Sequence, residues 1–264
     1  MAPSWECVPF GDKPRLIVHV PHASTEIDEA VRAGIQLDDA ELAAELAVMT
    51  DWYTDRLALD ACARGAAPVV VFVNRLSRLV IDPERLSDEA EPMAEMGMGA
   101  VYTRTASGAR LRAPDRQRDA DLMKRFFEPY ATAVADLVDE ALTNHGTATI
   151  VDLHSYRPLP LRYEPDPSAP RPGVCIGTDD FHTPRALIDH TRAVFAGITG
   201  GFDLNTPFTG TYVPLRHYRV DARVRSVMIE IRRDLYLDEP THDLHTGYGI
   251  LVARLAQLLR ELAG

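Results

Sequence analysis

Four short apolar runs constrain this chain's fold more than any other feature: LIVHV from Leu16, VVVFV from Val69, TIVDL from Thr149 and SVMIEI from Ser226. Each is rich in β-branched residues and too short for a buried helix, so each predicts a buried strand. Helical patterns separate them. Leu37–Arg64 opens with acids, carries apolar residues at helical spacing and closes at Gly65, which predicts one or two helices. Arg118–Gly146 is the longest such pattern, and Pro129 within it is expected to start a second segment or kink the first. Thr183–Ile198 and Gly247–Ala263 predict two more helices, with the short strand VCIGT from Val174 before them. Alternating strands and helices give an α/β domain whose sheet is covered on both faces. At 264 residues, one domain over 1–264 is the default. The stretch Asp82–Arg118 lacks a sustained period and is expected to be a surface excursion with a short strand around Val101-Tyr102.

The formal charge of −11 opposes broad binding to nucleic acid or to anionic membranes, although a local arginine cluster can still grip a small anion. Three unclustered cysteines, Cys7, Cys62 and Cys175, suggest neither a disulfide framework nor a zinc knot, and fit a reducing compartment. The N-terminal stretch has no signal-like apolar run, and nothing reaches the ~18 consecutive apolar residues of a membrane span. The expectation is a soluble cytoplasmic protein.

Ligands of open α/β sheets bind beyond the strand C-termini, and the three best strands end in chemistry. LIVHV leads to Pro21-His22, TIVDL to His154-Ser155, and SVMIEI carries Glu230 before Arg232 and Arg233. Two histidines at neighbouring strand ends can converge on one metal ion, and a carboxylate would complete a three-ligand set open to water. Glu26 and Asp51 are the candidates. Asp152, two residues before His154, is assigned to the other sheet face and a structural part. His19 is read as a satisfied core residue, and His145, His182, His190, His242 and His245 as surface residues. A structural ion pair with Arg232 is the bland alternative for Glu230.

The stretches VPHAST, TDWYTDRL, NRLSRLVIDPER, VDLHSYRPLP, GTYVPLRHY and IEIRRDLYLDE, in this order over nearly the whole chain, make it resemble the N-formylglutamate amidohydrolase family. That family belongs to the zinc hydrolases with a carboxypeptidase-like (phosphorylase/hydrolase-like) fold, so the resemblance implies a three-layer α/β/α sandwich with a mixed central sheet. It also implies a zinc ion held by His22, Asp51 and His154, favouring Asp51 over Glu26, and Glu230 as general base. Arg78 is the first choice to balance the oxyanion or grip a substrate carboxylate, with Arg75, Arg85, Arg157 and Arg216 behind it and Tyr212 placed to close over the substrate. The implied substrate is a small acidic N-acyl amino acid, N-formyl-L-glutamate being the family example. Cleavage of another amide, or ligand binding without catalysis, is the alternative. Two positions depart from the pattern: Glu84-Arg85 stands where Asn-Arg is expected, and Ala131 follows Pro129-Tyr130 where a histidine is frequent.

Overall fold

The computed structural model describes residues 3–65, 68–85, 91–164 and 166–263. Its strands are β1 (Trp5–Phe10), β2 (Leu16–Val20), β3 (Val69–Asn74), β4 (Ala148–Tyr156), β5 (Val174–Gly177), β6 (Phe202–Leu204) and β7 (Val224–Arg232). They form one seven-stranded sheet in the order β1-β3-β2-β4-β7-β5-β6. The pairs β3–β2, β2–β4 and β4–β7 are parallel, whereas β1 runs antiparallel to β3 and β5 antiparallel to β7. The sheet is therefore mixed. The three strands that carry the chemistry, β2, β4 and β7, lie side by side, so their C-terminal halves face one end of the molecule.

The helices are α1 (Glu29–Arg32), α2 (Asp39–Met49), α3 (Thr54–Ala63), α4 (Arg116–Leu122), α5 (Glu128–His145), α6 (Arg185–Phe195) and α7 (Gly247–Ala263). Through Leu57, Leu187 and Leu255, the helices α3, α6 and α7 pack on Val18, Val71, Val151 and Ile229 of one sheet face. On the other face, α5 sets Tyr130, Val134 and Val138 against Ile17, Val70 and Ile150. These are the three layers of the expected sandwich, and alternation along each strand decides which side chain meets which layer.

Local chemistry sets the breaks. A capping box starts α2, with Asp38 accepting from the Glu41 amide and Glu41 accepting from the Asp38 amide. The pattern Leu37–Arg64 then divides at Tyr53, whose positive φ of 63° turns the chain between α2 and α3. Between α4 and α5 the chain stays helical but widens to a π-helical turn at Met123–Phe127 just before Pro129. Proline has no amide to donate, and the wider turn accommodates the missing bond.

Three expectations need correction. The strands β1 and β6 were not foreseen; β1 contains Pro9, which an edge strand tolerates because one side of its ladder is unpaired. No strand forms at Val101-Tyr102; isolated bridges Met98–Tyr102 and Arg104–Arg110 stand there instead. The excursion from Asp82 is also not confined to the surface. Tyr102 and Leu111 are fully buried in a cluster with Leu42 and Met49 of α2, and the buried Arg112 guanidinium donates to the Leu79 carbonyl. Residues 86–90 of that stretch lie outside the described residues. Among the described residues, no helix is long and apolar enough to cross a membrane.

Candidate functional site

Asp152, His154 and Glu230 share one sheet face, the one that carries α5. His154 and Glu230 are direct neighbours in the β4–β7 register. His22 follows β2 by two residues, and Asp51 sits in the turn between α2 and α3. The Asp51 amide donates to the His22 carbonyl at 2.9 Å, so a backbone bond ties these two loops together. Arg233, buried just past β7, donates to the Ala47 and Val48 carbonyls at the end of α2 and so holds the helix that leads to Asp51.

The three side chains converge. His22 Nδ1 and His154 Nδ1 are 3.3 Å apart, and Asp51 Oδ2 lies 3.0 Å from His154 Nδ1 and 3.8 Å from His22 Nδ1. A tetrahedral ion bound at ~2.0–2.1 Å would set its donor atoms roughly 3.3 Å apart, so this buried trio has the spacing and the donor chemistry of a zinc-type site. The outer nitrogens fit as well. His22 Nε2 donates to Asp82 Oδ1 at 2.8 Å, while His154 Nε2 lies 3.2 Å from Asp152 Oδ1 and 3.3 Å from Glu84 Oε1. Carboxylates behind both imidazoles favour the proton on Nε2, so a bound cation would displace only a proton from Nδ1. Glu26, the other carboxylate considered, is exposed and outside this cluster.

The electrostatics reflect a crowd of buried acids. Burial opposes ionisation of Asp51, yet hydrogen bonds to His154 and His22 hold its carboxyl below the usual range. Burial also opposes a charged His154, but Glu84 and Asp152 keep its pKa well above the ordinary value. Burial pushes the Glu230 carboxyl up to about 8, His154 opposes this, and Asp51 and Glu84 add to the rise. Glu230 Oε2 is buried with no hydrogen-bond partner among the described residues. The ion pair with Arg232 is absent, because that guanidinium donates to Asp234 and to the Arg171 carbonyl.

A cavity of about 410 Å³ opens over the trio. Glu230, Arg78, Arg85, Arg157 and Tyr212 line it, whereas Arg75 and Arg216 do not. Arg75 pairs with Glu6 and Asp55, and Arg216 with Asp136 and Asp139. Arg78 is held by Asp82 at 2.7 Å and by the Tyr102 hydroxyl at 3.1 Å. Arg157 meets Glu239 at 3.2 Å.

Several residues depart from the sequence reading. Residues two apart on a strand share a face, so Asp152 lies beside His154 and lines the cavity instead of pointing away. It also accepts from His19 Nδ1 at 2.9 Å and from the Tyr212 amide at 2.9 Å. His19 is indeed buried and satisfied, with Tyr130 at 2.7 Å from its Nε2, yet through Asp152 it belongs to the site's network. His182 is fully buried, not superficial; it donates to the Val224 carbonyl and accepts from the Arg219 amide. Asp82, Glu84 and Arg233 were missed as site residues. Asp82 and Glu84 are the two acids of the stretch VIDPER, on either side of Pro83, and those acids gave the only hint.

A family model described as N-formylglutamate amidohydrolase matches residues 14–237. A comparison with curated proteins finds no match. Among solved structures, N-formylglutamate amidohydrolase from Ralstonia eutropha JMP134 is similar at a TM-score of 0.81 and 22% identity, over 100% of this chain and 98% of that one. A gene product of Agrobacterium tumefaciens is similar at a TM-score of 0.67 and 20% identity, over 100% and 94%. At these identities the two structures share the fold.

Proposed function

The chain belongs to the N-formylglutamate amidohydrolase family, and from that premise we propose that it is a zinc-dependent amidohydrolase of small acidic N-acyl amino acids. The family example is conversion of N-formyl-L-glutamate to L-glutamate and formate. The observation that carries the reading is the convergence of His22 Nδ1, His154 Nδ1 and Asp51 Oδ2 inside a cavity that Glu230 also lines. These three residues would hold one zinc ion, which when bound would polarise the amide carbonyl and acidify water.

The remaining steps fall to the chain's own side chains. Glu230, across the register from His154 and with an unpartnered oxygen, takes a proton as water oxygen attacks the amide carbon. It returns that proton to the nitrogen as the carbon–nitrogen bond breaks, so acid and amine leave with the atoms of one water shared between them. Arg78, fixed by Asp82 and Tyr102, presents a guanidinium to the developing oxyanion or to a substrate carboxylate. Arg85 and Arg157 supply further positive charge, and Tyr212 walls the cavity.

Metal analysis of protein purified without chelators tests the ligand set: about one zinc ion per chain is expected. Asp51→Ala should lose both zinc and hydrolysis of N-formyl-glutamate, while Glu26→Ala keeps both. Protein that carries no transition metal and whose melting and activity ignore added zinc would sink the proposal.

A further inference from the structure

The loop that follows β4 forms one wall of the cavity over His22, Asp51 and His154: Arg157, Leu161, Tyr163 and Glu164 all line it. Behind that wall stands Arg171, which does not line the cavity. Its side chain is 9% exposed and pairs with that of Glu164, 4% exposed, through Nη1 at 2.5 Å and Nη2 at 3.4 Å. Two further bonds reach the Arg157 carbonyl, from Nε at 3.0 Å and from Nη2 at 2.6 Å. Glu164 in turn accepts from the Leu161 amide at 2.8 Å. The Arg171 guanidinium also lies 4.9 Å from the Tyr156 ring and 5.9 Å from that of Phe208, two more residues of the cavity lining. Arg171 therefore ties both ends of the 157–164 loop to one point.

That point is itself held by the sheet. The Tyr156 hydroxyl donates to the Pro172 carbonyl and the Arg232 guanidinium to the Arg171 carbonyl, so the backbone at 171–172 is fastened to β4 and β7. A buried ion pair adds little net stability, because desolvating both charges offsets much of their attraction. A planar fork that grips a carboxylate and a carbonyl together does restrict the loop to one arrangement. The residue so held keeps its own fork open. Arg157 donates Nε to Glu239 at 3.2 Å, and among the described residues its Nη1 and Nη2 make no hydrogen bond. Arg78, by contrast, already gives Nε and Nη2 to Asp82. Two N–H groups side by side on a guanidinium match the two oxygens of a carboxylate.

We propose, resting on the amidohydrolase reading, that Arg157 grips the side-chain carboxylate of the substrate's amino acid and that Arg171 is the positioning residue that aims it. The two together set the preference for an acidic side chain. Arg171 touches no substrate and works only through the Arg157 carbonyl and Glu164.

Arg171→Lys keeps a positive charge beside Glu164 but has no fork with which to hold the Arg157 carbonyl as well. KM for N-formyl-glutamate should rise about ten-fold, the scale of one lost charge-assisted contact, with kcat within about two-fold of wild type. The ratio of kcat/KM for N-formyl-glutamate to that for N-formyl-glutamine should fall by the same factor, and Arg157→Met should lower it at least as far. Arg171→Met combined with Glu164→Leu removes the pair without leaving a buried charge, and serves if the lysine variant melts early. Unchanged KM and preference in the folded variants overturn the positioning role, as does a fall in kcat alone that tracks the folded fraction. An unchanged preference in Arg157→Met overturns the fork. Should the wild type hydrolyse no N-formyl amino acid, yet bind N-formyl-glutamate over N-formyl-glutamine in calorimetric titration and lose that preference in Arg171→Lys, the amidohydrolase reading falls and the fork stands.

Discussion

Glu230 separates catalyst from binder at the scale of a single residue. Glutamine at this position keeps size and polarity but cannot accept the proton, so Glu230→Gln should retain zinc and substrate affinity while turnover falls ~10²–10⁴-fold. Zinc analysis, a binding titration and active-site-normalised kinetics read the three quantities separately. A variant that melts early yet keeps its rate per folded molecule would mark Glu230 as structural. His22 and His154 drew notice as a pair at the ends of two apolar runs, which a single strand-end histidine would not have done, and Asp51 was preferred to Glu26 only through the family resemblance. Asp152 was misplaced through the strand period itself, since positions 152 and 154 share a face. Asp82 and Glu84 were hidden because their partners, His22 and His154, are far away in sequence, and only the folded register brings them together.

Among elements, the junction of α2 with the end of β7 matters most to the site. Arg233 donates to two carbonyls at the C-terminus of α2, and the next residues turn the chain into Asp51. Arg233→Ala leaves those carbonyls short of a charged donor, an expected loss of ~1.5–3 kcal/mol, and frees Asp51 to drift from the histidines. Thermal melts should show the first effect and competition for zinc against a chromophoric chelator the second; unchanged zinc affinity would remove Arg233 from any part in the site. Buried strands were the most readable elements, because β2 and β3 are apolar along nearly their whole length and β4 opens on a β-branched run. The edges were not, since β1 alternates half-exposed residues and includes a proline, and β6 has three residues. The stretch after Asp82 failed for another reason: its core contacts are made by isolated side chains, Tyr102 and Leu111, with no repeating pattern.

At the scale of the whole molecule, the buried acids predict how stability follows pH in the metal-free protein. Burial opposes ionisation of Asp82 and Asp152, but Arg78 for the first and His154 for the second hold both carboxyls well below the usual value. Their contribution is complete above an unfolded pKa near ~3.9 and is lost as pH falls below it. Glu230 works in the opposite sense. With its folded pKa pushed up to about 8, chiefly by burial, it favours the folded state below the unfolded value near ~4.3 and loses that contribution as pH rises through about 8. His154, raised by Glu84 and Asp152 against burial, likewise favours the fold below ~6.5 and less above it. Melting temperature should therefore peak in mildly acidic buffer and decline on both sides. Glu230→Gln should soften the alkaline decline, and zinc should oppose it by taking the place of the proton. A wild-type curve flat from pH 5 to 9 without metal would contradict this account. One small feature carries this further, the amide of Asp51 bonded to the carbonyl of His22. Because two of the three candidate ligands are already fastened to each other by main chain, emptying the centre need not unravel it. The vacated frame should accept a foreign guest such as cobalt(II) without a refolding step, giving a coloured, optically readable centre in a protein whose native ion would be spectroscopically silent.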